Sequence, residues 1–197
     1  VIEANGLASE TAAVKITASF GDGAGPPYRR GLVVSARKYH PRPALAEKGG
    51  LDLAAYPHPR QSPLADHKTL NYLYYYLAGQ WAGHQGADEA LILNPDGTIS
   101  ETNTANILVI RTKTVIRPRS PHALSGIMEK QGILYLEKNG YSVVTKKLFM
   151  EDLLAADGVI LTNSLMGAAP ARRIDGRTLG RCDALVAELD FLRHVQY

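Results

Sequence analysis

Hydrophobic and polar positions along the chain change period several times, and each change marks an element. Val1 to about Ser9 reads as the end of a helix that Asn5-Gly6 can stop. Ala13-Val14-Lys15-Ile16-Thr17 alternates like a half-buried strand. A Gly/Pro loop from Gly21 to Pro27 precedes a second strand at Gly31–Ser35. Residues 39–66 are punctuated by proline and read mostly as loop, with a short strand near Leu51–Ala55. From His67 to about Gly86 the pattern is helical, with Leu70, Leu73, Leu77, Trp81 and neighbouring tyrosines recurring at helical spacing.

The second half is richer in strand signals. Ala90-Leu91-Ile92-Leu93 is a short apolar run, Asn94-Pro95-Asp96-Gly97 is a strong turn, and Thr98–Glu101 follows. Asn106–Arg111 and Thr114–Ile116 continue the antiparallel pattern. Ser125-Gly126 opens a helix that runs to about Asn139, where Gly140 closes it. Strands at Ser142–Lys146 and Gly158–Thr162 flank a short helix around Met150–Ala156, and a last helix is expected over Arg181–Arg193. The sum is an α+β fold, a strand-rich body with helices packed on it.

Composition narrows the classes. Of 197 residues, 45% are hydrophobic and 21% charged, enough to bury a substantial core. The net charge of +3 is spread along the chain, which gives nucleic acid no binding stripe but suits an anionic small molecule. Cys182 is the single cysteine, so neither a disulfide framework nor a Cys/His zinc site can be built. No metal site is expected, and a reducing, cytoplasmic setting is. No membrane span or signal peptide is visible. The chain opens at Val1 inside an amphipathic-looking stretch, which reads as a fragment or as a beginning cleaved or unrecorded.

Four places can carry chemistry. Lys68 stands at the mouth of the first long expected helix, where the positive end of the macrodipole favours the neutral amine that attacks a carbonyl. Glu101, at a strand end, could keep a pyridine nitrogen protonated. Ser125-Gly126-Ile127-Met128 opens a helix whose free amides form a phosphate cradle, and Glu129 would weaken it by pointing inward. Thr162-Asn163-Ser164 offers hydroxyl and amide donors after an apolar strand. Taken singly, each fits an ordinary surface or turn residue better than a ligand.

Their order changes the picture. From about Lys15 onward the chain resembles the class-IV aminotransferase family, the fold-type-IV enzymes of pyridoxal 5'-phosphate (PLP) with a D-amino-acid aminotransferase-like fold. The resemblance rests on Ser62-Pro63-Leu64-Ala65-Asp66-His67-Lys68-Thr69-Leu70-Asn71-Tyr72-Leu73, on Gly86-Ala87-Asp88-Glu89-Ala90, and on Gly97-Thr98-Ile99-Ser100-Glu101 with Asn106. It continues through Ser125-Gly126-Ile127-Met128 and Leu161-Thr162-Asn163-Ser164-Leu165-Met166. It implies that Lys68 bonds the cofactor and shuttles the proton at the substrate Cα. Glu101 would partner the pyridine nitrogen, and Tyr72 the phenolic oxygen. Gly126, Ile127, Met128 and Ser164 would bind the phosphate. Residues 1–60 would be the remainder of a smaller N-terminal domain with its connection, and residues 61–197 the larger PLP-binding domain. A homodimer is implied as well.

Within the family, Lys68-Thr69-Leu70-Asn71, Gly126-Ile127-Met128 and Asn163-Ser164-Leu165-Met166 look most like the branch that converts 4-amino-4-deoxychorismate to 4-aminobenzoate, a folate precursor, and pyruvate. The alternative is an aminotransferase for D- or branched-chain amino acids, and a non-catalytic PLP binder is the third reading. Phe20-Gly21 departs from the family's Arg-Gly pair, and Glu129 replaces a frequent arginine. Arg29 and Arg30 could meet a substrate carboxylate but fit a solvated loop better; Arg172 and Arg173 read as structural or rim residues.

Overall fold

A computed structural model describes residues 1–21, 25 and 29–189. The chain divides into two units, Val1–Arg42 and Pro43–Tyr197. In the first, alternation extends beyond the expected ends. Strand β1 (Ala12–Phe20) pairs antiparallel with β2 (Arg30–Lys38), from Ala12 opposite Lys38 to Phe20 opposite Arg30. The helix end expected at the start is a single 3-10 turn, Glu3–Asn5. The Gly21–Pro27 loop lies largely outside the described residues.

The second unit begins with helix α1 (Pro43–Lys48), in a stretch expected to be loop. Its proline stands at the first helical position, where a missing N–H costs nothing. Strand β3 (Leu51–Ala55) follows, so the expected division at residue 60 falls inside this unit, after a strand of its sheet. Then come helix α2 (Leu73–His84) and strands β4 (Glu89–Leu93), β5 (Ile99–Thr102), β6 (Asn106–Arg111) and β7 (Thr114–Pro118). Helix α3 (Ile127–Lys138), β8 (Ser142–Lys146), α4 (Met150–Leu154) and β9 (Gly158–Asn163) come next. The last are β10 (Gly167–Ile174), β11 (Arg177–Thr178) and α5 (Asp183–Glu188). The expected helix over 181–193 is described only to Leu189.

One sheet organises this unit, in the order β5-β4-β3-β10-β9-β6-β7-β8, with β11 paired to β10. Strand β10 was invisible in the pattern because Gly167-Ala168-Ala169-Pro170 is small and contains proline. The structure accommodates Pro170 where the strand changes partner: residues 167–170 pair antiparallel with β9, and pairing with β3, parallel, starts at Ala171. Strands β3 and β4 are parallel, so a long crossover must join them, and residues 56–88 are that crossover.

Strands β6 and β9 are buried on both faces, which is why they read as continuous apolar runs. Ile107, Val109, Val159 and Leu161 face one core with Leu51 and Leu53. Leu108, Ile110 and Ile160 face the other, against Met128 and Leu136 of α3. Helix α2 turns Ala78 and Ala82, with Tyr74, Tyr75 and Trp81, towards Ala90 and Ile92 of β4. Gly79 lets it approach closely, since a β-carbon there would lie 2.7 Å from Asn103 Nδ2. The leucines that carried the helical pattern are on the other face: Leu73 and Leu77 are exposed.

Candidate active site

The crossover supplies the amine. Helix α2 starts at Leu73, not His67, so Lys68 precedes it on irregular chain. Local bonds compete with helix here: residues 63–66 form a turn, and the Asn71 N–H donates to Thr69 Oγ1 at 3.3 Å. Lys68 therefore does not stand in the first turn of a helix, where the macrodipole was expected to act on it. Its Nζ lies 3.3 Å from the Tyr72 hydroxyl and 5.1 Å from that ring's centroid. Both side chains remain open to solvent.

The acid is held differently. Glu101 is 4% exposed on β5, opposite Ile92 and on the side covered by α2. The Tyr75 hydroxyl donates to its Oε1, and the Leu124 N–H donates to its Oε2 at 3.0 Å. Burial raises its pKa to about 7, against the hydrogen bonds from Tyr75 and Leu124 and the positive fields of Arg60 and Lys68. The Tyr72 and Tyr75 rings, 5.4 Å apart, join the amine to the acid through one aromatic contact. Lys68, Tyr72 and Glu101 thus gather in one cluster.

The expected phosphate cradle lies at the start of α3. Gly126 is its N-cap and supplies no side-chain cap, leaving the Ile127 and Met128 amides at the free helix end. Asn106 Nδ2 donates to the Leu124 carbonyl at 2.6 Å, and a β-carbon on Gly126 would stand 2.0 Å from Asn106 Oδ1. Glycine is therefore required by contact, since φ there is −71°. Glu129, expected to weaken the cradle if it pointed inward, does point inward: it is buried, Arg117 Nε and Nη2 donate to its two oxygens at 2.8 and 2.9 Å, and the Gly126 N–H also acts on its carboxylate, so it competes with a ligand at that helix end. Burial pushes the Glu129 pKa up, opposed by Arg117 and by the Gly126 N–H. The Met128 side chain is core, so only its backbone can serve a ligand, while Ile127 is exposed.

Ser164 is exposed, and its side chain has no hydrogen-bond partner among the described residues. Its turn is fixed by Asn163, whose Oδ1 accepts the Leu165 and Met166 amides at 2.9 and 2.8 Å. Two residues before Ser164, Thr162 is wholly buried with its hydroxyl unpaired, opposite Asn106 in the sheet. The sequence pattern alone does not mark Tyr75, Arg60 or the burial of Thr162. A signal for Tyr75 existed, because a tyrosine on the buried face of a helix needs a partner for its hydroxyl. Two of the four arginines have contacts of their own: Arg30, which opens β2 and does not lie in the expected loop, stands over the Phe20 ring at 5.3 Å, and Arg172 donates to the Lys48 carbonyl at 2.9 Å.

PLP presents an aldehyde, a ring nitrogen and a phosphate. The residues fit it: an amine, a buried carboxylate, a helix end at a glycine without room for a side chain, and an orphaned buried hydroxyl on the strand opposite Asn106.

The fold is that of the fold-type-IV PLP enzymes. The family profile of amino-transferase class IV matches residues 1–174, and the chain belongs to that family, whose members depend on PLP. It is 30% identical over 109 residues to the branched-chain-amino-acid aminotransferase of Pseudomonas aeruginosa, covering 55% of this chain and 36% of that protein. It is 35% identical over 116 residues to the aminodeoxychorismate lyase of Vibrio harveyi, covering 58% and 42%. The chain thus spans under half the length of these curated relatives. It shares its fold with a hypothetical aminotransferase from Mycobacterium tuberculosis in its alpha-ketoglutarate- and PMP-bound form: TM-score 0.83 at 19% identity, over 96% of this chain and 71% of that one. Among the described residues, no helix is long and apolar enough to cross a membrane.

Proposed function

We propose that the protein is a PLP-dependent lyase that converts 4-amino-4-deoxychorismate to 4-aminobenzoate and pyruvate. The observation that carries a PLP function is the Lys68–Tyr72–Tyr75–Glu101 cluster, an exposed amine tied through aromatic rings to a buried acid. When bound, PLP supplies an electron-withdrawing ring that stabilises negative charge at the substrate Cα.

The chain's own residues do the rest. Lys68 supplies the amine that bonds the cofactor and moves the proton at the substrate Cα. Tyr72 orients that amine and faces the phenolic oxygen. Glu101 receives the ring N–H and keeps that proton in place. The Ile127 and Met128 amides, with the Gly126 approach and Ser164, hold the phosphate at the positive end of α3. The lyase reading is favoured by the Lys68–Asn71, Gly126–Met128 and Asn163–Met166 segments and by the 35% identity to the Vibrio harveyi lyase. The second reading, an aminotransferase for D- or branched-chain amino acids, draws on the 30% identity to the Pseudomonas enzyme. A homodimer in the cytoplasm belongs to the same proposal.

The test begins with PLP added to the purified protein, then borohydride reduction and peptide mapping. The label is expected on Lys68 and absent from Lys68→Ala. Pyruvate release from 4-amino-4-deoxychorismate supports the lyase. Amino transfer to a keto acid without pyruvate release replaces it with the second reading. A label on another lysine overturns the site.

A further inference from the structure

Glu101 is a buried carboxylate whose two oxygens are claimed by donors from different elements. Leu124 comes from the chain between β7 and α3 and offers a backbone N–H at 3.0 Å. The other donor is a side chain of α2, the Tyr75 hydroxyl. Tyr75 is itself fixed on several sides. The Arg60 guanidinium carbon lies 4.3 Å from its ring centroid and 5.1 Å from that of Tyr74. The Tyr74 ring meets it edge-on at 5.6 Å, and the Tyr74 hydroxyl donates to the His58 carbonyl at 2.5 Å. Arg60 is 8% exposed, and its Nε has no hydrogen-bond partner among the described residues. A buried cation of this kind is held by the two ring faces and the nearby carboxylate field.

We propose that Tyr75 is a positioning residue: its hydroxyl, locked in place by Arg60 and Tyr74, fixes both the orientation and the negative charge of Glu101. The physical reason is asymmetric. Desolvation works against an anion at this depth, and a hydroxyl donor stabilises the anion without adding a charge of its own. Phenylalanine would keep the ring and the stack but leave Oε1 without its donor. The groups facing Glu101 are Tyr74 and Tyr75 of α2, Lys68 and Arg60 of the crossover, and the Leu124 amide. Of these, Arg60 and Lys68 act through their fields, whereas Tyr75 also touches the carboxylate. Burial and the Glu101 charge push the Tyr75 pKa far upward, so the hydroxyl stays a donor throughout the neutral range. The consequence for the cofactor nitrogen rests on the proposed PLP function; the Tyr75–Glu101 coupling does not.

The test is carbon-13 NMR of labelled glutamate in the cofactor-free protein, with Glu101 assigned through Glu101→Gln. Wild-type Glu101 should titrate near pH 7. In Tyr75→Phe its midpoint should rise by about one pH unit, a tenfold weaker acid. In wild type, the ring carbon bearing the Tyr75 hydroxyl should shift through that same midpoint and cease to do so in Glu101→Gln. This second readout needs no tyrosine variant to fold. With PLP added, the absorbance band of the bound cofactor should change at a higher pH in wild type than in Tyr75→Phe. A Glu101 midpoint unmoved in Tyr75→Phe, or a tyrosine signal blind to Glu101, overturns the proposal even where PLP binds normally. Failure to bind PLP with both NMR couplings intact overturns the cofactor reading and leaves the coupling standing.

Discussion

Asn106 holds the approach to Gly126 from both sides of its amide: Nδ2 donates to the Leu124 carbonyl at 2.6 Å, and Oδ1 fills the space a β-carbon on Gly126 would need. One side chain on β6 therefore sets the path of the chain into α3. Gly126→Ala is expected to displace that path, cost about 1–3 kcal/mol of stability and abolish retention of PLP. Asn106→Ala should lose stability through the missing bond. The double variant should cost less than the sum, because the obstacle is gone. Thermal melting of all four proteins checks the coupling, and strict additivity would sink this account.

Glu129 and Arg117 form a second prediction. The carboxylate is buried, and the guanidinium, about a third exposed, is its two-pronged partner. Arg117→Met should strand an anion beside the helix end and cost about 2 kcal/mol, less than a fully enclosed pair because water reaches the arginine side. Arg117→Met with Glu129→Leu should recover most of that loss. Chemical denaturation of the single and double variants measures it; a single variant as stable as wild type would contradict the arrangement.

Glu101 makes stability depend on pH. Its folded-state pKa stands near 7 against an ordinary 4.5, so the folded protein holds the proton longer than the unfolded chain. This contribution is fully present below about pH 4.5 and is lost as pH rises through 7, by up to about 3 kcal/mol. The difference between wild type and Glu101→Gln, followed by denaturation of cofactor-free protein from about pH 4 to about pH 8, should show that decline. A difference that stays constant, or grows with pH, would place the carboxylate in another environment.

Self-association should use the outer face of α2. Leu73, Tyr76 and Leu77 form an exposed apolar stripe on it, and Leu70 is exposed just before the helix. Sedimentation equilibrium is expected to show dimers in wild type and folded monomers in Leu73→Glu with Leu77→Glu, which should melt lower than wild type by the stability that association contributes. Dimers that persist in the double variant would move the contact elsewhere.

Much of the sheet was legible because β6 and β9 are buried on both sides and carry uninterrupted apolar runs, and because Asn94–Gly97 is a turn by composition. Glu101 could be placed at a strand end for the same reason. Strand β10 was not legible, since small residues and a proline give no period, and its pairing with β3 joins segments far apart in the chain. The helical run from His67 was real only from Leu73, because Thr69 and the turn at Pro63 satisfy the backbone locally. The same run misled about orientation: its leucines point away from the sheet, and the tyrosines between them carry the packing and the contact to Glu101. Leucines and tyrosines are both apolar enough to face a core, so the period alone left open which side of α2 the fold would bury.

Because β10 lies between β3 and β9, the ladder divides into two parcels until residues 167–174 arrive. Lys68 and Glu101 belong to the parcel made earlier by the ribosome, and the Gly126 cradle to the one made later. A nascent chain stalled before Gly167 would carry every proposed ligand, yet lack the strand that joins the two parcels into one ladder. Competence to capture the cofactor during synthesis should therefore switch on over the span of a single strand.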